Sequence, residues 1–280
     1  MIFLIVFMCC VFELIYVSFA PLRSGRWIQL WYRRLCDNFP VRKIFGGASL
    51  LVSFALPCAV LAYIFGNVFA DSVFLTLLGG TALLLFCSGP GDIAQEIESY
   101  TRRYLDEDGN QPPPDTNNFL NNIDAIDGDP DRPYLRAIAI EANARLFAPI
   151  FWFSVLGPVG ALLFRMSVTI ARSPTLDPVD GVIAKRLYDI LIWAPARLLG
   201  IGLGLGGTLG PVVGVLSRRE VKLSQSEALL GDAAIAALET TITDERDQHA
   251  ALINSMFSLV KRGFVVWLAI LALLVVAGVR

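Results

Sequence analysis

Four stretches of this chain are nearly free of charge and close to the length of a bilayer core: residues 1–20, 48–66, 72–88 and 263–279. A spanning helix needs about 20 mostly apolar residues. These runs are apolar all round rather than striped with a period of 3.6 or 2, so each wants lipid or other buried helices on every side. Hydrophobic residues make up 55% of the chain, which is more than one soluble core of this length would bury. The pattern predicts an all-α, polytopic helical membrane protein with four to six membrane-embedded segments. Two of those segments are open to a re-entrant reading.

Charge sets the expected topology. Residues 21–45 hold Arg23, Arg26, Arg33, Arg34, Arg42 and Lys43 against Asp37 alone. The positive-inside rule puts this loop, 21–47, in the cytoplasm and the N-terminus outside. Residues 1–88 then read as three transmembrane helices around that loop. Residues 1–20 lack a basic leader region, hold Glu13 and end just before Pro21, so they read as a retained helix rather than a cleaved signal. The acidic segment 89–147 is expected in the cytoplasm. It carries a helix from 93 to about 104, a solvated linker through Asp106 and Pro114, and a second helix from about 134 to 147. No basic patch points to nucleic acid. The partner that composition implies is the lipid bilayer.

Residues 148–216 are less ordinary. The apolar stretch 146–171 is interrupted by Gly157 and Pro158, and 193–216 carries Gly200, Gly202, Gly204, Gly206, Gly207, Gly210 and Gly214 with Pro195 and Pro211. Interrupted apolar segments occur in membranes where protein covers the freed backbone. Two readings stay open for both stretches: re-entrant or kinked helices, and full spans. Residues 217–262 form a cytoplasmic helical segment with a helix over 224–242. Lys261 and Arg262 then mark the cytoplasmic start of the final transmembrane helix, 263–280.

A few polar groups need explaining. Glu13 lies mid-run, where a carboxylate costs at least ~2.5 kcal/mol unless it is paired, protonated or facing a polar cavity. Glu141 and Arg145 stand one helical turn apart, next to Asn143, and can pair. Asp189 follows Lys185 by four residues. Arg197 stands just inside an apolar run and needs an acidic partner or a route to the surface. Gly202, Gly206, Gly210 and Gly214 recur every four residues, a stripe that lets another backbone approach closely and offers a homo-oligomer contact.

Other patterns carry less. Gly202, Gly204 and Gly207 match a dinucleotide fingerprint, and Gly202, Gly207 and Thr208 a phosphate loop without its lysine, but no strand precedes them. Asp127, Asp129 and Asp131 alternate as in a calcium loop, with Arg132 where its glycine belongs. The five cysteines, Cys9, Cys10, Cys36, Cys58 and Cys87, read as apolar residues with no metal or disulfide role. His249, the one histidine, lies in a charged stretch and is expected to be exposed. No metal and no cofactor is called for.

Three segments carry a resemblance: Glu141 to Phe153, Gly157 to Arg165, and Trp193 to Leu198. They resemble the AmpE family of bacterial inner-membrane proteins, linked to β-lactamase induction and cell-wall recycling. The wider superfamily includes the CobD/CbiB adenosylcobinamide-phosphate synthases of cobalamin biosynthesis. The resemblance implies one shared cytoplasmic site and a regulatory, signalling role. It also implies departures from the synthase pattern. Tyr188 stands where the first of two acids belongs, Ile192 where an Asn belongs, and Arg145 marks a change of charge. The reading that follows is a non-enzymatic regulator that binds a small, phosphorylated or lipidic ligand through Glu13, Glu141, Asn143, Arg145, Asp189 and Arg197. The alternative is a membrane-bound transferase or ligase related to the synthases. A transporter is a third reading, weakened by the lack of a paired repeat.

Overall fold

The computed structural model describes residues 2–15, 26–38, 48–69, 72–89, 92–106, 119–123, 131–173, 178–217, 222–238 and 245–277. The helices in chain order are α1 (Ile2–Ile15), α2 (Arg26–Asn38), α3 (Ala48–Tyr63), α4 (Val73–Cys87), α5 (Ile93–Asp106), α6 (Arg132–Ala142), α7 (Ala148–Ala171), α8 (Pro178–Gly206), α9 (Leu209–Leu216), α10 (Ser226–Ala237) and α11 (Glu245–Val276). A π-turn over Ile64–Val68 continues α3, and another over Asn143–Phe147 joins α6 to α7. No strand occurs among the described residues, so the all-α expectation holds. Three helical runs, Arg132–Ala171, Gly181–Gly206 and His249–Leu274, are long and apolar enough to cross a membrane by length and composition.

Two boundaries differ from expectation. The basic loop 21–47 contains a helix, α2. Its apolar side carries Ile28, which is fully buried, and Trp27, whose ring lies 5.3 Å from that of Phe86. This amphipathic, basic helix packs on α3 and α7. The final apolar run is the C-terminal half of a longer helix, since α11 begins at Glu245. Charged residues at its start masked the continuation in the sequence. The linker from 107 to 118 lies outside the described residues, as do Asp127 and Asp129.

The chain divides into two units. The first comprises Met1–Pro90 and Ala144–Ile192, the second Gly91–Asn143 and Trp193–Arg280.

In the first unit, α1 packs on α4 and α7, α4 on α7, and α2 on α3 and α7. Proline explains much of how these helices dock. A proline inside a helix has no N–H, so the carbonyl four residues earlier loses its donor. Away from water that carbonyl must find another. Among the described residues Pro57, Pro149 and Pro195 create this situation, and each of their freed carbonyls is taken. Pro57 frees Ser53, whose carbonyl accepts the Trp31 indole N–H at 3.4 Å. Pro149 frees Arg145, whose carbonyl accepts the Gly89 N–H at 2.9 Å. Pro195 frees Leu191, whose carbonyl accepts the Trp152 indole N–H at 2.9 Å.

The interruption in α7 is a fold-back. Gly157 has φ 67° and ψ −156°, a conformation outside any helix and open to glycine alone without strain. Pro158 then starts the second limb, where a missing N–H costs nothing. A Cβ on Gly160 would overlap the Trp152 carbonyl, eight residues back. In a straight helix those positions lie about 12 Å apart. Ala148, Phe164 and Val168 also share one buried cluster with Tyr188, Leu191 and Ile192 of α8. A straight helix would hold Ala148 and Phe164 about 24 Å apart. The run Arg132–Ala171 is therefore sharply bent back at Gly157 and is not one straight helix. Val155 and Leu156 stand exposed beside the bend, 56% and 52%.

In the second unit, α6 packs on α10 and α11, α9 on α10, and α11 on α5. The glycine stripe is divided. A Cβ on Gly202 would strike the Trp267 ring, and one on Gly206 would press on Arg262 and Gly263, so these two receive α11 of the same chain. Trp267 also donates to the Leu198 carbonyl at 2.7 Å. The helix ends at Gly206, and Gly207 passes against the Ala237 carbonyl. Gly210 and Gly214, on α9, meet nothing within 4 Å. The four glycines therefore do not form one stripe for a second copy, because the chain breaks between the pairs and the first pair is occupied.

Spin labels on Leu146→Cys and Arg172→Cys, in a background without the native cysteines, should report a separation of about 20 Å or less for the fold-back. An unbroken helix would hold them about 39 Å apart. Gly160→Ala should lower the unfolding midpoint and broaden that distance distribution.

Candidate functional site

The residues singled out in the sequence distribute as follows. Glu13 lies within α1, its side chain outside the described residues. Glu141 is half-buried near the end of α6, and Asn143 and Arg145 sit on the π-turn Asn143–Phe147. Asp189 follows Tyr188, a member of the buried cluster of the first unit. Arg145 precedes Ala148 of the same cluster by three residues. Glu141, Asn143 and Arg197 belong to the second unit. Arg197 meets no acid among the described residues. Its guanidinium lies 4.4 Å from the centre of the Trp193 ring and donates to the Trp193 carbonyl at 3.3 Å. The ring face supplies the attraction that an acidic partner would have given.

The π-turn Asn143–Phe147 departs from regular helix. Its cause is Pro149, whose ring would clash with the Arg145 carbonyl in a regular helix. Widening the turn by one residue relieves the clash and turns that carbonyl outward. Gly89 docks on it. A Cβ there would overlap the Arg145 side chain, so the glycine lets the two segments touch. Asn143 is 1% exposed, and its Oδ1 finds no donor among the described residues. Leaving a buried amide oxygen unpaired costs about 1–3 kcal/mol. Such groups concentrate where a ligand or water completes the bonding. Arg165, on the returning limb of α7, is also buried, at 5%. In the sequence Arg165 stands only as the last residue of the segment Gly157 to Arg165. The proline four residues after Arg145 was the readable sign of both the bulge and the free carbonyl.

A second cluster corrects an expectation. His249 is not exposed, since its side chain retains 12% of its accessible surface. Its Nδ1 pairs with Asp131 Oδ1, and its Nε2 lies 3.2 Å from the Tyr100 hydroxyl. With Asp131 ionised, Nδ1–H donates to the carboxylate and the Tyr100 O–H donates to Nε2. Tyr134 meets the imidazole edge-on at 4.9 Å, and Tyr104 lies at 4.7 Å. Burial, a hydrogen bond with Tyr134 and nearby Tyr134, Tyr104 and Asp131 hold the Tyr100 phenol well above the ordinary tyrosine range. It is therefore a neutral hydrogen-bonding group at physiological pH, not an activated nucleophile. Asp131 occupies the N-cap of α6 without capping it, and its carboxylate serves the histidine instead. The chain Asp131–His249–Tyr100 ties α5, α6 and α11 together. Among the described residues no three His, Cys, Asp or Glu side chains converge as a metal would require.

No family model matches the chain, and neither does any curated protein or solved structure.

His249→Ala removes both polar contacts and an aromatic neighbour of three tyrosines. Unfolding free energy in detergent should fall by about 2–4 kcal/mol, with partial recovery in His249→Gln. An unchanged unfolding midpoint for His249→Ala would contradict the tie.

Proposed function

We propose that this chain is an inner-membrane regulatory protein, similar in role to the AmpE family, with its N-terminus periplasmic. On this reading it signals cell-wall stress by binding a small phosphorylated or lipidic ligand at the segment that carries Asn143 and Arg145. One observation supports the reading above the others: the Asn143 amide oxygen is buried and unpaired on a π-turn. A helix kept for packing alone would place an apolar residue there, because an unpaired polar group in the interior only costs stability. Arg145, on the same turn, supplies a guanidinium suited to phosphate oxygens. π-turns recur at functional positions in helices for the same reason, since they trade regular hydrogen bonds for an altered surface.

The test separates ligand use from packing. Purified protein in neutral detergent is titrated with a short-chain prenyl monophosphate while the unfolding midpoint is followed. Asn143→Ala should unfold no earlier than wild type, and Arg145→Gln should fold normally. Both should lose the upward shift that the ligand gives wild type. An Asn143→Ala protein that is destabilised by more than about 1 kcal/mol but keeps the full ligand shift would make this residue structural.

A further inference from the structure

The packing of the first unit fixes which side of α2 faces outward. Ile28 is fully buried, and the Trp31 indole bonds to the Ser53 carbonyl of α3. Trp27, Leu30 and Arg34 then fall within about 60° of one another around the helix, and all three are exposed. Phe86, 5.3 Å away, steadies the Trp27 ring. Arg33 is exposed as well but also interacts within the chain, so Arg34 supplies the cation of this face. The helix holds Arg26, Arg33 and Arg34 against Asp37, so it stays cationic with one arginine neutralised inside the chain. The first unit is cationic as a whole: Met1–Pro90 and Ala144–Ile192 hold eleven Arg and Lys against six Asp and Glu. Six of those eleven cations lie between Arg23 and Lys43.

We infer that the outward face of α2 docks on anionic phospholipid headgroups, at the boundary between acyl chains and water. Each residue suits one layer of that boundary. Leu30 matches the acyl region, the Trp27 indole the headgroup level, and the Arg34 guanidinium the phosphate oxygens. Charge complementarity selects anionic over zwitterionic lipid, because cations at a membrane surface draw acidic headgroups within a Debye length. This docking rests on the bilayer setting of the proposed function, and does not involve the ligand assigned there to the Asn143 segment.

Lipid can be read at α2 itself. The full-length protein, without its native cysteines, carries a bimane on Leu30→Cys and is placed in phosphatidylcholine nanodiscs. Acyl-nitroxide phosphatidylglycerol or acyl-nitroxide phosphatidylcholine is included at equal mole fraction, and fluorescence quenching is compared. The anionic quencher should act about twice as strongly as the zwitterionic one or more, and the excess should shrink as salt rises. Arg34→Gln should remove at least about half of the excess. A bimane on Phe74→Cys, which lies about 18 Å along α4 from Phe86, should be quenched equally by both lipids. Three results would overturn the inference: equal quenching at Leu30→Cys, a matching excess at Phe74→Cys, or an excess that keeps more than about half its size in Arg34→Gln. The third would assign the lipid to another segment, that of Asn143 included. The prenyl monophosphate titration in neutral detergent contains no anionic bilayer, so its failure and the failure of this docking are separate results.

Discussion

A backbone carbonyl without its helical donor is the constraint that organises the first unit. In water such a group is solvated at little cost. Among apolar side chains or lipid it has to be met by protein. Pro57, Pro149 and Pro195 each release one, and Trp31, the Gly89 backbone and Trp152 each answer one. The hydrophobic effect drives helices together weakly in lipid, where the alternative surroundings are equally apolar. Directional bonds of about 1–2 kcal/mol then choose which face meets which. Trp152 illustrates this. It lies on the outgoing limb of α7, bonds across to α8, and stands where the returning limb comes back past Gly160.

That fold-back changes what the apolar stretch can do. A helix that bends back at Gly157 brings its two limbs into one cluster instead of extending them along a single axis. Ala148 and Phe164, from the two limbs, share one buried cluster with Tyr188, Leu191 and Ile192. The π-turn that Pro149 forces adds an opened backbone and the buried amide of Asn143. The polar residues of the motif segments are therefore arranged by the helix irregularities beside them: a proline, a glycine with positive φ, and a widened turn.

Much of this was readable in advance, in a definite order. Apolar runs announce helices regardless of tertiary context, so the fold class and most helices follow from hydropathy. Gly157–Pro158 announced a break, because one residue tolerates positive φ and the next cannot continue a hydrogen-bond ladder. The direction of the chain after the break was not readable. It depends on Gly160 passing the Trp152 carbonyl, a contact set by packing. His249 was misread because local charge suggests exposure, while its partners Tyr100 and Asp131 lie 149 and 118 residues away. The glycine repeat was regular in sequence, but the helix ends between Gly206 and Leu209, and periodicity cannot show a helix end that depends on the Ala237 carbonyl.

The account rests most directly on proline-freed carbonyls acting as docking points, and a double-mutant cycle on Trp152 and Pro195 measures this. Trp152→Phe should destabilise the protein by about 1–3 kcal/mol by orphaning the Leu191 carbonyl. Pro195→Ala restores a helical N–H to that same carbonyl. In the Pro195→Ala background the Trp152→Phe penalty should therefore shrink by about 1 kcal/mol or more. If the two effects instead add, the indole is held by packing alone and the freed carbonyl directs nothing.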